Sequence, residues 1–357
     1  MIDRVPLDYQ QWNKKSVSAE EFGVALTSDA SRTQMFRYQA PDSGQAFNVL
    51  RIDGRPDQET GPTTITANSW DYRIDPLRTA KLAIFAKHSG GVVYDVELPG
   101  ATINHNRPLN NEGGFQTKAQ FLGALKGDFT PLAQTQLEAI DSIAHFEEGQ
   151  EVRFMGESLA TFSLAAMALV MARGDFKPLT ITAMDLIEPV NAYGDTSLIH
   201  MAKMMHTLAT VENDRRGLYI NENAAIGYPE FMPYEKLNKQ TAAIDKYVKG
   251  LRQQQIPVLA SGAGLRKGVH TVLGQVLGGK LPYQPLTTDS EITVIRGADS
   301  TVTSPDDFEK LAAHVHDSGV SVRLMEIANG TRGSETPIGH SMTDGLGRAA
   351  SLAALRQ

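Results

Sequence analysis

Residues 151–174, EVRFMGESLATFSLAAMALVMARG, constrain this chain more than any other stretch. An apolar run, Val152 to Met155, stops at Gly156-Glu157-Ser158-Leu159-Ala160, and a long Ala-rich apolar run follows at once. The pattern predicts a buried strand, a sharp turn and a buried helix. A strand that passes straight into a helix returns by a crossover, which points to a parallel sheet covered by helices. The turn also lifts Ser158 clear of the sheet. Around it lie the backbone N–H groups of a helix start, donors without intrahelical partners that can stabilise an anion. A serine nucleophile needs that setting. A serine that merely caps a helix is the plainer reading of the same residues.

The rest of the chain alternates in the same way. TQMFRYQA and AFNVLRID read as two strands around the turn Pro41-Asp42-Ser43-Gly44. PTTITANSW is rich in β-branched residues and reads as a strand. LRTAKLAIFAKHSG reads as a helix closed by Gly90, GVVYDVELPG as a strand, and PLAQTQLEAIDSIAHF as a helix. KPLTITAMDLIEP is a strand after the opening segment. The alternation then stops. From Asn191 to about Lys280 the chain reads as helices only: SLIHMAKMMHTLATV, YEKLNKQTAAIDKYVKGLRQQ and GVHTVLGQVLG. It resumes with SEITVIRGADS, SPDDFEKLAAHVHDSG, VSVRLMEIANG and a last helix after His340. The expected architecture is a core formed by residues 1–190 and 281–357, interrupted by a helical insertion, 191–280. The first 30 residues form a polar extension with one helix near Ala19 to Ala25.

Composition narrows the function classes. With 357 residues the chain can bury a large core. A net charge of −7 argues against a nucleic-acid footprint, which needs clustered Lys and Arg. The chain has no cysteine, which removes disulfides, thiolate catalysis and Cys-based zinc sites. The N-terminal residues show no apolar signal core. The longest apolar run, Leu159 to Ala172, is too short to span a bilayer. The expectation is a cytoplasmic protein without a membrane span.

A serine nucleophile needs a base, and the base needs an orienting carboxylate. His340, in TPIGHSM, follows the last strand and so falls at the carboxyl edge of the sheet, where Ser158 also falls. His200, His206, His314 and His316 lie inside helical patterns, and His314-x-His316 is badly spaced for one metal ion. Asp299 follows the strand EITVIRG. Asp185, in TAMDLIEP, is the alternative acid, and Glu188 is a third. The order Ser158, Asp299, His340 is the nucleophile–acid–base order of one hydrolase class.

On these residues the chain, from about residue 34 to its end, resembles the α/β-hydrolase superfamily. The resemblance implies a three-layer α/β-hydrolase fold, with a mostly parallel central sheet, helices on both faces and an inserted helical cap. It implies Ser158, Asp299 and His340 as a catalytic triad. It also implies an oxyanion hole built from the N–H of Leu159 and that of Trp70, with Ser69 beside it in TANSWDY. Ala160 stands where members usually carry glycine. Asn68-Ser69 stands where many carry His-Gly, and Glu97 replaces the aspartate of an Asp-x-Pro-Gly segment. The family's acid usually lies at Ser300 or Thr301 rather than at Asp299.

The function expected is cleavage of a carboxylic ester or related acyl bond in a small molecule, with no cofactor and no metal. An acyltransferase would use the same residues, and a non-catalytic relative would bind a small molecule or a partner. Gly262 to Gly268, GAGLRKG, lacks the spacing and flanking elements of a dinucleotide loop and reads as a turn. Met201, Met204, Met205 and Leu208 form one helical stripe, read as packing or as an apolar lining for an acyl group.

Overall fold

Nine strands hydrogen-bond into one sheet in the order β1-β9-β8-β7-β6-β4-β5-β3-β2. The structure is a computed structural model. It describes residues 2–8, 33–39, 41, 46–54, 61–67, 82, 85–86, 89–96, 118–193 and 265–328. The strands are β1 (Ile2–Asp8), β2 (Thr33–Gln39), β3 (Ala46–Asp53), β4 (Thr63–Ala67), β5 (Val92–Val96), β6 (Glu151–Glu157), β7 (Thr180–Ile187), β8 (Glu291–Gly297) and β9 (Ser321–Ala328). The helices are α1 (Lys118–Lys126), α2 (Thr130–Ala144), α3 (Ala160–Arg173), α4 (Gly268–Leu277) and α5 (Pro305–Asp317). Only β3 runs antiparallel, to both β2 and β5. All other pairs are parallel.

Parallel strands covered on both faces need apolar residues on both faces, so they read as continuous apolar runs. The central strands do so, and their alternating residues divide between two cores. Val152 and Phe154 of β6 join the larger core, with Ile65, Met184, Leu186, Ile292 and Val294. Arg153, between them, points the other way, its guanidinium 6.0 Å from the ring centre of Phe85. Phe85, Leu82 and Ala86 are helical and buried on that second face, as the spacing in LRTAKLAIFAKHSG predicts. The larger core lies under α2, α3, α4 and α5. Helix α3 has thirteen of its fourteen residues buried, because α2 and α4 flank it and the sheet lies beneath it.

Two elements escape a sequence reading. Strand β1 is one; its residues include Asp3, Arg4, Pro6 and Asp8, too polar to announce a strand. It pairs only with β9, and an edge strand tolerates a proline that a central strand does not. Helix α1 is the other. It follows the polar run 101–115 of the sequence and holds Gly123, where an added Cβ would sit 2.5 Å from the carbonyl oxygen of Asp128.

Residues 191–192 and 265–270 meet. Asn191 donates from Nδ2 to the carbonyl of Leu265 at 2.6 Å. The N–H groups of Val269 and His270 donate to the carbonyls of Asn191 and Ala192, both at 3.2 Å. Helix α4, read from sequence as the end of the insertion, packs against α3 and α5 and places Val269, Val272, Leu273 and Val276 in the main core. The chain between Tyr193 and Leu265 therefore leaves and re-enters the core at one place. The helices expected there, the helix near Ala19 to Ala25 and the last helix lie outside the described residues.

Candidate active site

Helix α3 rises directly from the end of β6, and Ser158 makes the turn. Its φ is 54°, left-handed backbone that residues other than glycine seldom adopt. Two bonds fix it there. The Ser158 N–H donates to the Ile187 carbonyl of β7 at 2.8 Å, and its own carbonyl accepts from the Thr161 N–H at 3.2 Å. The Thr161 hydroxyl adds a third bond to that carbonyl at 2.6 Å. Gly156 eases the turn. A Cβ there would lie 2.5 Å from Leu164 Cδ1 and 3.1 Å from the Ala160 carbonyl carbon, so a larger residue would have to push the Leu164 side chain aside and crowd the start of the helix.

Ser158 is half-buried at the start of a fourteen-residue helix whose first turn holds no acidic residue. The positive end of that helix is therefore uncompensated by its own first turn. Among the described residues, the N–H of Leu159 makes no backbone hydrogen bond. Such a donor, beside a hydroxyl, can receive a developing negative charge.

The topology puts this turn where a ligand crevice forms. From β4 the chain moves outward to β5, then crosses back over β4 to β6 and proceeds to β7, β8 and β9. The connection after β4 carries Phe85 on one face, and α3 covers the other. The strand order reverses between β4 and β6, and the carboxyl end of β6 carries Ser158. Ligands bind in the crevice beyond the carboxyl ends at such a reversal. The chain has an α/β-hydrolase fold.

No family model matches the chain, and no curated protein matches it. Among solved structures it is similar to carboxyl esterase 2 of Tuber melanosporum, at 11% identity over 90% of this chain and 84% of that one, with a TM-score of 0.45. It is similar to an esterase of Pyrobaculum calidifontis, at 14% identity over 97% and 92%, TM-score 0.45. It is also similar to esterase B of Lactobacillus rhamnosis, at 12% identity over 98% and 91%, TM-score 0.47.

Within this α/β-hydrolase sheet the three candidate acids differ sharply. Asp299 lies two residues past β8 and is exposed. Asp185 is 1% exposed and sits inside β7, opposite Met155 of β6 and Thr293 of β8. At about 3.3 Å per residue it is some 10 Å below the level of Glu188. Glu188, just past the end of β7, is fully buried. One carboxylate oxygen accepts from the Gly297 N–H. The other accepts from the Ser300 hydroxyl at 2.6 Å and shares the single hydrogen of the Thr303 hydroxyl, 3.0 Å away, with the Pro189 carbonyl, also at 3.0 Å. The backbone N–H of Glu188 donates to the Ile295 carbonyl at 2.7 Å, and its φ is 47°.

His340, Trp70 and Ser69 lie outside the described residues, as do Glu97 and the methionine stripe of 201–208. His314 rests against Tyr193 and His270, with ring centres 6.2 and 5.9 Å away. Among the described residues no group of three or more His, Asp or Glu side chains is placed to hold a metal ion. No helix among them is long and apolar enough to cross a membrane.

Proposed function

We propose that this protein is a serine hydrolase that cleaves a carboxylic ester or a related acyl bond. The observation that carries the reading is Ser158, held in left-handed backbone between a buried strand and a buried helix at the reversal of strand order. In this reading the Ser158 hydroxyl adds to the acyl carbonyl while His340 takes its proton. The carbonyl oxygen becomes an oxyanion and is held by the N–H of Leu159, together with that of Trp70 or its neighbour Ser69. One such donor contributes about 3 to 4 kcal/mol in the transition state. The tetrahedral adduct collapses to an acyl-enzyme, and the proton on His340 passes to the departing alcohol. Water, deprotonated by His340, then releases the acid and restores the serine. The chain between Tyr193 and Leu265 is the proposed cap. The residues that flank it, Asn191 and Leu265, are hydrogen-bonded to each other just past Glu188.

A fluorophosphonate, which mimics the tetrahedral adduct, tests the reading. We expect one adduct, on Ser158, that disappears in His340→Ala. A folded wild-type protein with no adduct at Ser158 would sink the proposal.

A further inference from the structure

We propose that Glu188, and not Asp299 or Asp185, is the carboxylate that positions the catalytic imidazole. The inference rests on the serine-hydrolase reading of Ser158.

The register of the sheet carries it. Glu157 of β6 lies opposite Ile187 of β7, and Ile187 lies opposite Ile295 of β8. Ser158 and Glu188 are the next residues of adjacent strands, so they leave the sheet side by side at one level. The ladder continues through both, because the Ser158 N–H donates to Ile187 and the Glu188 N–H donates to Ile295. Both residues then turn through left-handed backbone. Among the described residues four that are not glycine have positive φ, and three of them, Ser158, Glu188 and Asn191, crowd this one edge. Backbone of this kind costs about 1 to 3 kcal/mol per residue and gathers where function demands it.

The side chain of Glu188 has the properties of an orienting acid. Burial keeps water from competing for it, and the Gly297 N–H, the Ser300 hydroxyl and the shared Thr303 hydroxyl surround it. The Gly297 N–H on one oxygen and the Ser300 hydroxyl on the other fix the plane of the carboxylate. They also hold it over the ends of β8, the strand between β7 and β9. Strand β9, the next in the sheet, ends at Ala328, twelve residues before His340 in the sequence. The chain order Ser158, Glu188, His340 keeps nucleophile, acid and base in the sequence that a glutamate-bearing triad uses. Asp299 is exposed to water, where an ion pair or hydrogen bond with an imidazole is weak, and Asp185 lies below the edge.

Kinetics on a short aryl ester test the assignment, after fluorophosphonate labelling has established Ser158 as the nucleophile. Glu188→Gln keeps the shape and removes the charge. We expect kcat to fall about 10³- to 10⁴-fold with KM nearly unchanged. Glu188→Asp should recover part of the loss. The acid limb of the kcat/KM profile should move to lower pH in the Gln variant, since the imidazolium loses a neighbouring anion. A residue that only pins the β8 loop would leave that limb in place. Glu188→Gln within tenfold of wild type overturns the assignment. If Glu188→Gln does not fold, Asp299→Asn decides, because an exposed side chain can be changed without unfolding the core. A thousandfold loss there also overturns it. Wild-type protein that labels at Ser158 but behaves in either of those ways refutes the acid alone, whereas unlabelled wild type refutes the hydrolase reading and this inference together.

Discussion

At the carboxyl end of β6 the chain turns through Ser158 and rises into α3; at the carboxyl end of β7 it turns through Glu188 and runs on into Pro189. Both turning residues have φ near 50°, and they stand side by side in the sheet. Their side chains go different ways. Ser158 stays half-buried at a helix start, and its turn is held by backbone bonds and by the packing of α3. Glu188 is wholly buried and is tied by Gly297, Ser300 and Thr303 to the loop after β8. The same backbone strain is offset by packing beneath one residue and by charge-assisted hydrogen bonds around the other. The first arrangement leaves a reactive group accessible. The second fixes a charge in place.

The largest expected effect is on the first turn. Ser158→Ala should lower kcat on an aryl ester by about 10⁶-fold and leave the melting curve close to wild type, measured by stopped assays and circular dichroism. Residual turnover near wild type would remove Ser158 from the mechanism. Next comes the loss in Glu188→Gln described above. Thr303→Val tests the ties around Glu188. It removes one donor from a buried carboxylate without changing shape, and should cost about 1.5 to 3 kcal/mol in urea unfolding. A cost near zero would mean that the carboxylate is not anchored by this bond. Ser158→Gly separates strain from chemistry. Glycine accepts positive φ without penalty, so the variant should be inactive yet more stable by about 1 kcal/mol, seen as a higher midpoint of denaturation. Unchanged or reduced stability would show that the turn is not strained. The smallest effect is expected for Asp299→Asn, within about 0.5 kcal/mol of wild type in the same unfolding assay, because its side chain is exposed.

Much of this was legible in the residues. The run from Glu151 to Gly174 carries its strand, its turn and its helix in composition alone, since a buried strand and a buried helix both need unbroken apolar stretches of different lengths. The alternation that follows gave the parallel sheet. Less legible were β1 and the role of α4. Strand β1 carries Asp3, Arg4, Pro6 and Asp8 and is defined by its pairing with a strand more than three hundred residues away, and α4 is apolar, like a buried helix anywhere, so its sequence does not say which layer it joins.

The acid divides most clearly between the two kinds of information. By itself the sequence determined that Ser158 would stand on a strand-to-helix turn, because periodicity and the small residues at 156 and 160 are local properties. It also put three carboxylates, Asp185, Glu188 and Asp299, near the ends of the right strands. Which of them meets the site depends on register between strands far apart in the chain, on burial, and on donors from a loop more than a hundred residues away. Only the tertiary structure sets those. The register that aligns Ile187 with Glu157 and with Ile295 sets Glu188 on the strand next to that of Ser158, the loop after β8 buries its side chain, and Asp299 in that loop is left exposed.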